Sequence, residues 1–347
     1  MTSRPIAHWL RSAPLSFLAA ILLFSESFPA GGAEALNAAV AWPEETQTAR
    51  PWTRWWWHGS AVDESNLSRL LREYHRAGLG GVEITCIYGV KRAQALNREY
   101  LSSRWKDAIR HAVDEAHRLG MGVDLPAGSG WRMGGPTVDM ADANNKAIIE
   151  KYSVASGAAF DKQFRRATPQ AATAVEAGGR RVDLGGEIDN GEIHWRAPPG
   201  DWTIYTLAYD WAGDRVKRPG PGGAGLNINP FSKQSVSKFL KYFGKETSTL
   251  EGIRAQFPDS FEYGGDWQPR FLQEFAARRG YRLQDHLSAL AGDGPQDMVG
   301  RVKCDYRETL SDLVLENLVG TWVDWSHDQG QLTRNQSHGS PANWLDP

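Results

Sequence analysis

The sequence is short of the features that mark several classes of protein. It has two cysteines in 347 residues, which is too few for a disulfide-dense scaffold. Its 39 basic and 41 acidic side chains nearly cancel, so there is no electrostatic reason to expect nucleic acid as a partner. The one apolar run, near the N-terminus, is short, which excludes a polytopic membrane protein. The remainder is globular in composition, with 41% hydrophobic and 23% charged residues.

Tryptophan, by contrast, is abundant. The chain has 15 tryptophans, and four of them fall within residues 52–57. An indole fills a core well, and its flat amphipathic ring also stacks on the apolar face of a sugar. If residues 52–57 belong to a barrel, the tryptophans that face inward must also fill it. We therefore expect at least two of these tryptophans in the core and the others in a sugar-binding surface.

The N-terminus has the pattern of a secretory signal peptide. Basic residues precede the apolar run at 15–24, and a small-x-small cleavage pattern follows at 33–35. The run is too short to span a bilayer, which disfavours an uncleaved anchor. We predict a signal peptide at residues 1–35, a periplasmic or secreted protein, and no membrane span after cleavage. In an oxidising compartment Cys86 and Cys304 could pair, although two separate buried thiols are favoured.

The next 110 residues alternate strands with amphipathic helices. Strands are predicted at about 52–57, 81–87 and 122–125, with helices capped by Asp63 and by Ser102 or Ser103. Hairpin signals without helices follow between about 148 and 211, and strands at 254–261 and 331–336 resume the first pattern. This rhythm predicts parallel strands with helical crossovers.

We therefore predict an α/β fold, a (β/α)8 TIM-type barrel that is incomplete because about five of its eight strands are counted, with a small inserted antiparallel β domain. The glycine-rich stretch 219–225 is interpreted as the exit linker of that insert, with a functional loop as the alternative. The predicted regions are the signal peptide at 1–35, the first part of the barrel at 36–147, the inserted β domain and linker at 148–225, and the continued, truncated barrel at 226–347.

Polar and aromatic residues cluster at the predicted C-terminal ends of the strands, where parallel barrels carry their active sites. Each one alone could be an ordinary hydrogen-bonded residue at a strand end, but their convergence on one rim favours a site. The candidates for substrate binding are Trp56, Trp57, Glu83, Asp124, Asp259, Asn335 and His338.

Glu262 is the candidate catalytic residue. It follows a predicted strand and lies between Phe261 and Tyr263. An apolar setting would raise the pKa of its carboxyl and keep it protonated near neutrality, as a general acid requires. The alternative is a surface glutamate at the start of a loop.

Several sequence blocks resemble α-L-rhamnosidases of glycoside hydrolase family 106. The resemblance runs from about residue 51 to the last residue. The blocks that carry it are PWTRWWWHGSAVD (51–63), GGVEI (80–84), GMGVD (120–124), DSFE (259–262) with Trp267, RGY (279–281) and RNQSHGSPANWLD (334–346).

The resemblance implies a (β/α)8 catalytic domain, an inverting mechanism on substrates that contain L-rhamnose, and a calcium ion near the sugar hydroxyls. Glu262 matches the position of the family's general acid. Family members are longer, and their general base is expected beyond the HGSP block at 338–341, so we expect an incomplete enzyme that lacks its base. Two alternatives remain open: a non-catalytic sugar-binding remnant, and a barrel glycosidase that acts on another sugar.

Overall fold

The computed structural model describes residues 44–336. The predicted signal peptide and His338 lie outside these residues. Within the described residues, the chain from Thr46 to residue 336 forms one compact unit. Within the described range, no helix is both long and apolar enough to cross a bilayer.

The first part of this unit is built from parallel strands and helices, as the sequence predicts. The Asp63 side chain accepts the Asn66 backbone N–H at 2.9 Å, and Ser102 accepts that of Trp105 at 3.3 Å, so each helix begins after its predicted cap. The elements are β1 (Trp52–His58), α1 (Glu64–Arg76), β2 (Gly81–Ile87), α2 (Ser103–Arg118) and β3 (Gly122–Pro126).

Antiparallel strands follow, both in the region 148–211 where hairpins are predicted and on either side of it, at Gly134–Gly135 and Leu226–Asn227. They are β4 (Gly134–Gly135), β5 (Asn145–Val154), β6 (Ala159–Gln163), β7 (Ala171–Glu176), β8 (Arg181–Asp183), β9 (Ile188–Asp189), β10 (Glu192–Arg196), β11 (Trp202–Trp211) and β12 (Leu226–Asn227). They form a four-stranded sheet in the order β5-β11-β7-β8, a three-stranded sheet β6-β10-β9 and the pair β12-β4.

The last part of the chain returns to helices and parallel strands. Its elements are α3 (Lys233–Thr247), β13 (Ala255–Phe257), α4 (Phe271–Arg279), α5 (Leu287–Leu290), α6 (Gln296–Leu313), α7 (Thr321–Asp328) and β14 (Leu332–Thr333). Short 3-10 turns lie at Gln47–Ala49, Gln94–Leu96, Gly185–Glu187 and Leu283–His286.

The long C-terminal helix differs from its predicted start. The spacing of apolar residues in the sequence predicts a helix from about Asp305 to Gln329. In the structure α6 begins at Gln296, because Val299 and Val302 are also buried and extend the apolar face. The π-helical segment Val314–Gly320 joins α6 to α7 without a break.

The parallel strands form one sheet in the order β1-β2-β3-β13-β14, and every neighbouring pair is parallel. One face packs against the helices through a core that includes Trp55, Trp57, Val82, Ile84 and Val123. We call the opposite face the inner face. The fold is thus α/β, with one parallel sheet and several antiparallel ones, while a (β/α)8 barrel, complete or incomplete, stays a prediction.

Candidate active site

Six charged side chains form a network on the inner face of the parallel sheet. The strand register sets Arg54, Glu83 and Asp124 side by side on β1, β2 and β3. We call this set the inner ion network, and its members are Arg54, Glu83, Asp124, Arg254, Asp259 and Arg334.

Each carboxylate of this network is paired with arginine. Arg54 contacts Glu83 at 2.8 Å and Asp259 at 3.0 Å, while Arg334 contacts Glu83 at 3.3 Å. Arg254 donates to both oxygens of Asp124, at 2.9 and 2.6 Å, and Arg334 adds a further bond to one of them. Three guanidinium groups therefore face three carboxylates, and the charges balance.

Burial affects the two central acids. Asp124 is 0% exposed and Glu83 is also buried. Loss of solvent raises the pKa of Glu83, and the neighbouring Arg54 and Arg334 partly offset this rise. Removal of one partner from a buried ion pair of this kind is destabilising, because it leaves an uncompensated charge.

Aromatic side chains lie beyond the network, toward the C-terminal ends of β1 and β2. Trp56 is 39% exposed, and its ring lies 6.3 Å from that of Trp131. Tyr88 is 42% exposed and stacks with His58 at 6.5 Å. The Arg218 guanidinium lies 4.7 Å from the Trp131 ring centre and 5.6 Å from that of Tyr88. Together with Lys217 and Glu262 we call these residues the rim cluster.

Glu262 lies in the rim cluster, next to Trp131. Its side chain is 28% exposed and forms an ion pair with the Lys217 ammonium group. Lys217 lowers the pKa of the Glu262 carboxyl, with smaller contributions from the Ser260 and Trp131 side chains. The prediction of a raised pKa is therefore wrong for the structure without substrate, because a cation rather than apolar groups lies beside the carboxylate.

A buried arginine connects the loops that carry the rim cluster. Arg132 donates to Asp214 at 2.8 Å, to the backbone carbonyl of Arg215 at 2.9 Å and to that of Glu262. Asp214 also accepts the backbone N–H of Gly264 at 3.1 Å. The loops at 131–133, 214–218 and 262–264 are thereby held against one another.

The tryptophans of β1 separate onto the two faces of the sheet. Trp55 and Trp57 are both in the core, and Trp57 is 1% exposed. The prediction that Trp57 binds substrate is wrong, because its side chain points to the helices rather than to the inner face. Trp56 does lie on the exposed side.

The remaining predicted substrate-binding residues lie in different settings. Glu83, Asp124 and Asp259 belong to the inner ion network, and Asp124 is so enclosed that it cannot contact a sugar without losing its arginines. Asn335 is exposed just after β14. His338 lies outside the described residues, and a role for Asn335 and His338 stays a prediction.

Sequence reasoning missed Trp131, Lys217 and Arg218 as site residues. The stretch interpreted as an exit linker is packed onto the rim: the Gly220 backbone N–H donates to Ser129 Oγ at 2.8 Å. Gly130 has φ +72°, and a Cβ there would lie 2.1 Å from the Lys217 carbonyl oxygen, so only glycine allows this close approach. The glycines of these two segments, Gly130 and Gly220 among them, were the sequence signal that could have indicated the close contact between them.

No group of three or more histidine, cysteine, aspartate or glutamate side chains that could hold a metal ion lies within residues 44–336. The inner-face carboxylates there are held by arginines instead. The calcium ion that the family resemblance implies stays a prediction, and we derive no step of a reaction through it.

Two known proteins are similar to this chain. A rhamnosidase from Novosphingobium sp. PP1Y has a similar structure, with a TM-score of 0.72 and 18% sequence identity over 84% of this chain and 46% of its own. A protein of Formosa agariphila (strain DSM 15362) with the provisional name beta-glucuronidase is 25% identical over 90% of this chain and 31% of its own length. This chain spans less than half the length of either protein.

The family comparison covers nearly all of the described structure. The family model of glycoside hydrolase family 106, described as alpha-L-rhamnosidase, matches residues 43–178 and 165–346. These ranges include β1 to β14 and every residue of the rim cluster. The chain belongs to glycoside hydrolase family 106.

Proposed function

We propose that this chain forms part of a glycosidase that releases terminal α-L-rhamnose by an inverting mechanism, with Glu262 as the general acid. The observation that carries the proposal is the position of Glu262, which lies beside Trp131 and close to the exposed Trp56 on one rim. Exposed indoles offer apolar faces for a sugar, and a carboxyl next to them is within reach of a glycosidic oxygen.

In this mechanism Glu262 protonates the leaving glycosidic oxygen while water attacks the anomeric carbon from the opposite face. An inverting reaction also needs a carboxylate base, roughly 6.5–9.5 Å from the acid, to activate that water. The other acids of the inner face are each engaged by arginine, so we assign none of them as the base. The family resemblance puts the base beyond the described residues.

Lys217 bears directly on the acid role of Glu262. A general acid must be protonated before it acts, yet the ammonium group of Lys217 keeps the carboxyl ionised. We propose that a sugar seated against Trp56 and Trp131 separates Lys217 from Glu262. The carboxyl then loses both its cation and its solvent, and both changes raise its pKa.

The test is Glu262→Gln in a version of the protein extended to full family length, assayed beside this chain. With a poor leaving group, hydrolysis of an α-L-rhamnoside should fall by about 10²–10⁴-fold, and with an activated aryl leaving group it should fall less. Glu99→Gln, at an exposed glutamate beside Gly222, is the control and should leave both rates unchanged. An equal loss for both leaving groups would show that Glu262 is not the acid.

A second candidate function is release of a β-linked glucuronic acid. It is favoured by the Formosa agariphila relative, whose provisional name is beta-glucuronidase and which matches 90% of this chain. Aryl α-L-rhamnoside and aryl β-D-glucuronide assayed side by side separate the two functions. Binding of either sugar with hydrolysis of neither, also in the extended protein, would favour a non-catalytic sugar-binding protein.

A further inference from the structure

Arg218 differs from Arg132 and from the arginines of the inner ion network in having no acidic partner within the described residues. The arginines of the inner ion network and Arg132 are each paired with carboxylates. Arg218 is exposed, and no carboxylate of residues 44–336 lies within ion-pair distance of its guanidinium group. The neighbouring Lys217 is already paired with Glu262. The positive charge of Arg218 therefore remains available at the rim.

The position of this charge is fixed by its surroundings. The guanidinium lies over Trp131 and Tyr88, which limits its freedom. The Tyr88 backbone N–H donates to the Arg218 carbonyl oxygen at 3.3 Å. Both residues have left-handed backbone conformations, with φ +47° at Tyr88 and φ +49° at Arg218. Strained conformations of this kind persist where the surrounding structure holds them, and they cluster at ligand sites.

We infer that Arg218 binds an anionic group, a carboxylate or a sulfate ester, on the sugar unit next to the one that is released. A guanidinium group offers paired donors that match the oxygens of such an anion. The exposed ring of Tyr88 beside it suits the apolar face of the same sugar. This inference rests on the proposed function, because it takes the rim cluster as the glycan site.

The proximity of Arg218 to Glu262 indicates which sugar unit of the glycan carries the anionic group. Trp131 contacts Arg218 on one side, and its indole also stabilises the Glu262 carboxylate. A glycosidic oxygen next to Glu262 thus lies one aromatic ring away from Arg218. The anionic group is therefore expected on a unit that adjoins the cleaved bond.

The experiment measures dissociation constants by calorimetry for three disaccharides with terminal α-L-rhamnose, linked to glucose, to glucuronic acid or to glucose 6-sulfate. We expect one of the two acidic disaccharides to bind roughly five- to tenfold more tightly than the neutral one, with the preference reduced in 0.5 M salt. The tighter of the two acidic ligands identifies carboxylate or sulfate as the group bound.

Arg218→Gln should abolish the preference and leave affinity for the neutral disaccharide unchanged. Arg215→Gln is the matched control, since Arg215 is also exposed on this segment but lies over Trp211, 5.2 Å from its ring centre. An equal loss in both variants would overturn the inference in favour of a general charge effect. Equal binding of all three disaccharides by the unmodified protein would overturn it while leaving the proposed function intact, and binding of none would overturn both.

Discussion

The inner ion network and the rim cluster lie on the same face of one sheet, but they are organised differently. In the network, three arginines and three carboxylates pair with one another, and the central acids are buried. In the rim cluster, the aromatic rings of Trp56 and Tyr88 are exposed and Arg218 has no acidic partner within residues 44–336. The charges of the network are paired within it, whereas the rim cluster has exposed aromatic rings and a positive charge with no acidic partner among the described residues.

Under the proposed function, this difference separates the residues expected to bind a ligand from those expected to hold the sheet together. Arg54 connects the two regions, since its guanidinium pairs with Glu83 and lies 5.1 Å from the Trp56 ring centre. The network can therefore position Trp56 without itself contacting a sugar. Substitutions in the network should affect stability first, and substitutions in the rim should affect binding first.

The largest effect is expected from Asp124→Ala. This change leaves Arg254 and Arg334 without the buried carboxylate that both contact. Removal of one partner from a buried ion pair costs about 3–5 kcal/mol in the free energy of unfolding, and because the two arginines are 22% and 39% exposed we expect a loss toward the lower end of that range. Urea denaturation of the variant beside the unmodified chain measures the loss. A loss below about 1 kcal/mol, in the range of exposed ion pairs, would show that the network does not stabilise the sheet.

Trp56→Ala should act on binding instead. Removal of its exposed ring should weaken rhamnoside affinity roughly tenfold, equivalent to about 1.4 kcal/mol. Trp56→Phe retains an apolar ring and should recover most of the affinity, which can be followed by calorimetry. Unchanged affinity in the alanine variant would place the sugar elsewhere.

The organisation of the sheets could be predicted from the sequence, because it depends on local periodicity. The alternation in β1 separates Trp55 and Trp57 from Trp56, and the capping residues Asp63 and Ser102 mark where helices begin. These signals act over a few residues. They were sufficient for the parallel strands and for the antiparallel region.

The charge environment of the site could not be predicted in this way, because it is set by residues distant in sequence. Lys217 precedes Glu262 by 45 residues, and their contact exists only because the 214–218 loop folds back onto the rim. Tyr263, whose ring was expected to give Glu262 an apolar setting, is buried and accepts the Met133 backbone N–H at 3.3 Å. Neighbours in sequence therefore gave the wrong direction for the pKa of Glu262.

Lys217→Met tests that contact and should have the smallest effect on stability. Without the ammonium group, the pKa of the Glu262 carboxyl should rise toward its ordinary value, whereas Lys217→Arg should keep it low. Because the folded-state pKa is lowered, the pair stabilises the fold above the unfolded pKa of about 4.3, and this stabilisation is lost as the pH falls through the folded pKa.

The two effects are measured separately. A carbon-detected NMR titration of the Glu262 side chain gives the pKa, and denaturation at pH 7 and pH 3 gives the stability difference between the unmodified chain and the methionine variant. At pH 7 that difference should not exceed about 1 kcal/mol, since the pair is partly exposed, and at pH 3 it should shrink. If the pKa of Glu262 is the same in the methionine and arginine variants, Lys217 does not control its ionisation. The lowered pKa would then be due to the other groups that contact the carboxylate, the Ser260 and Trp131 side chains.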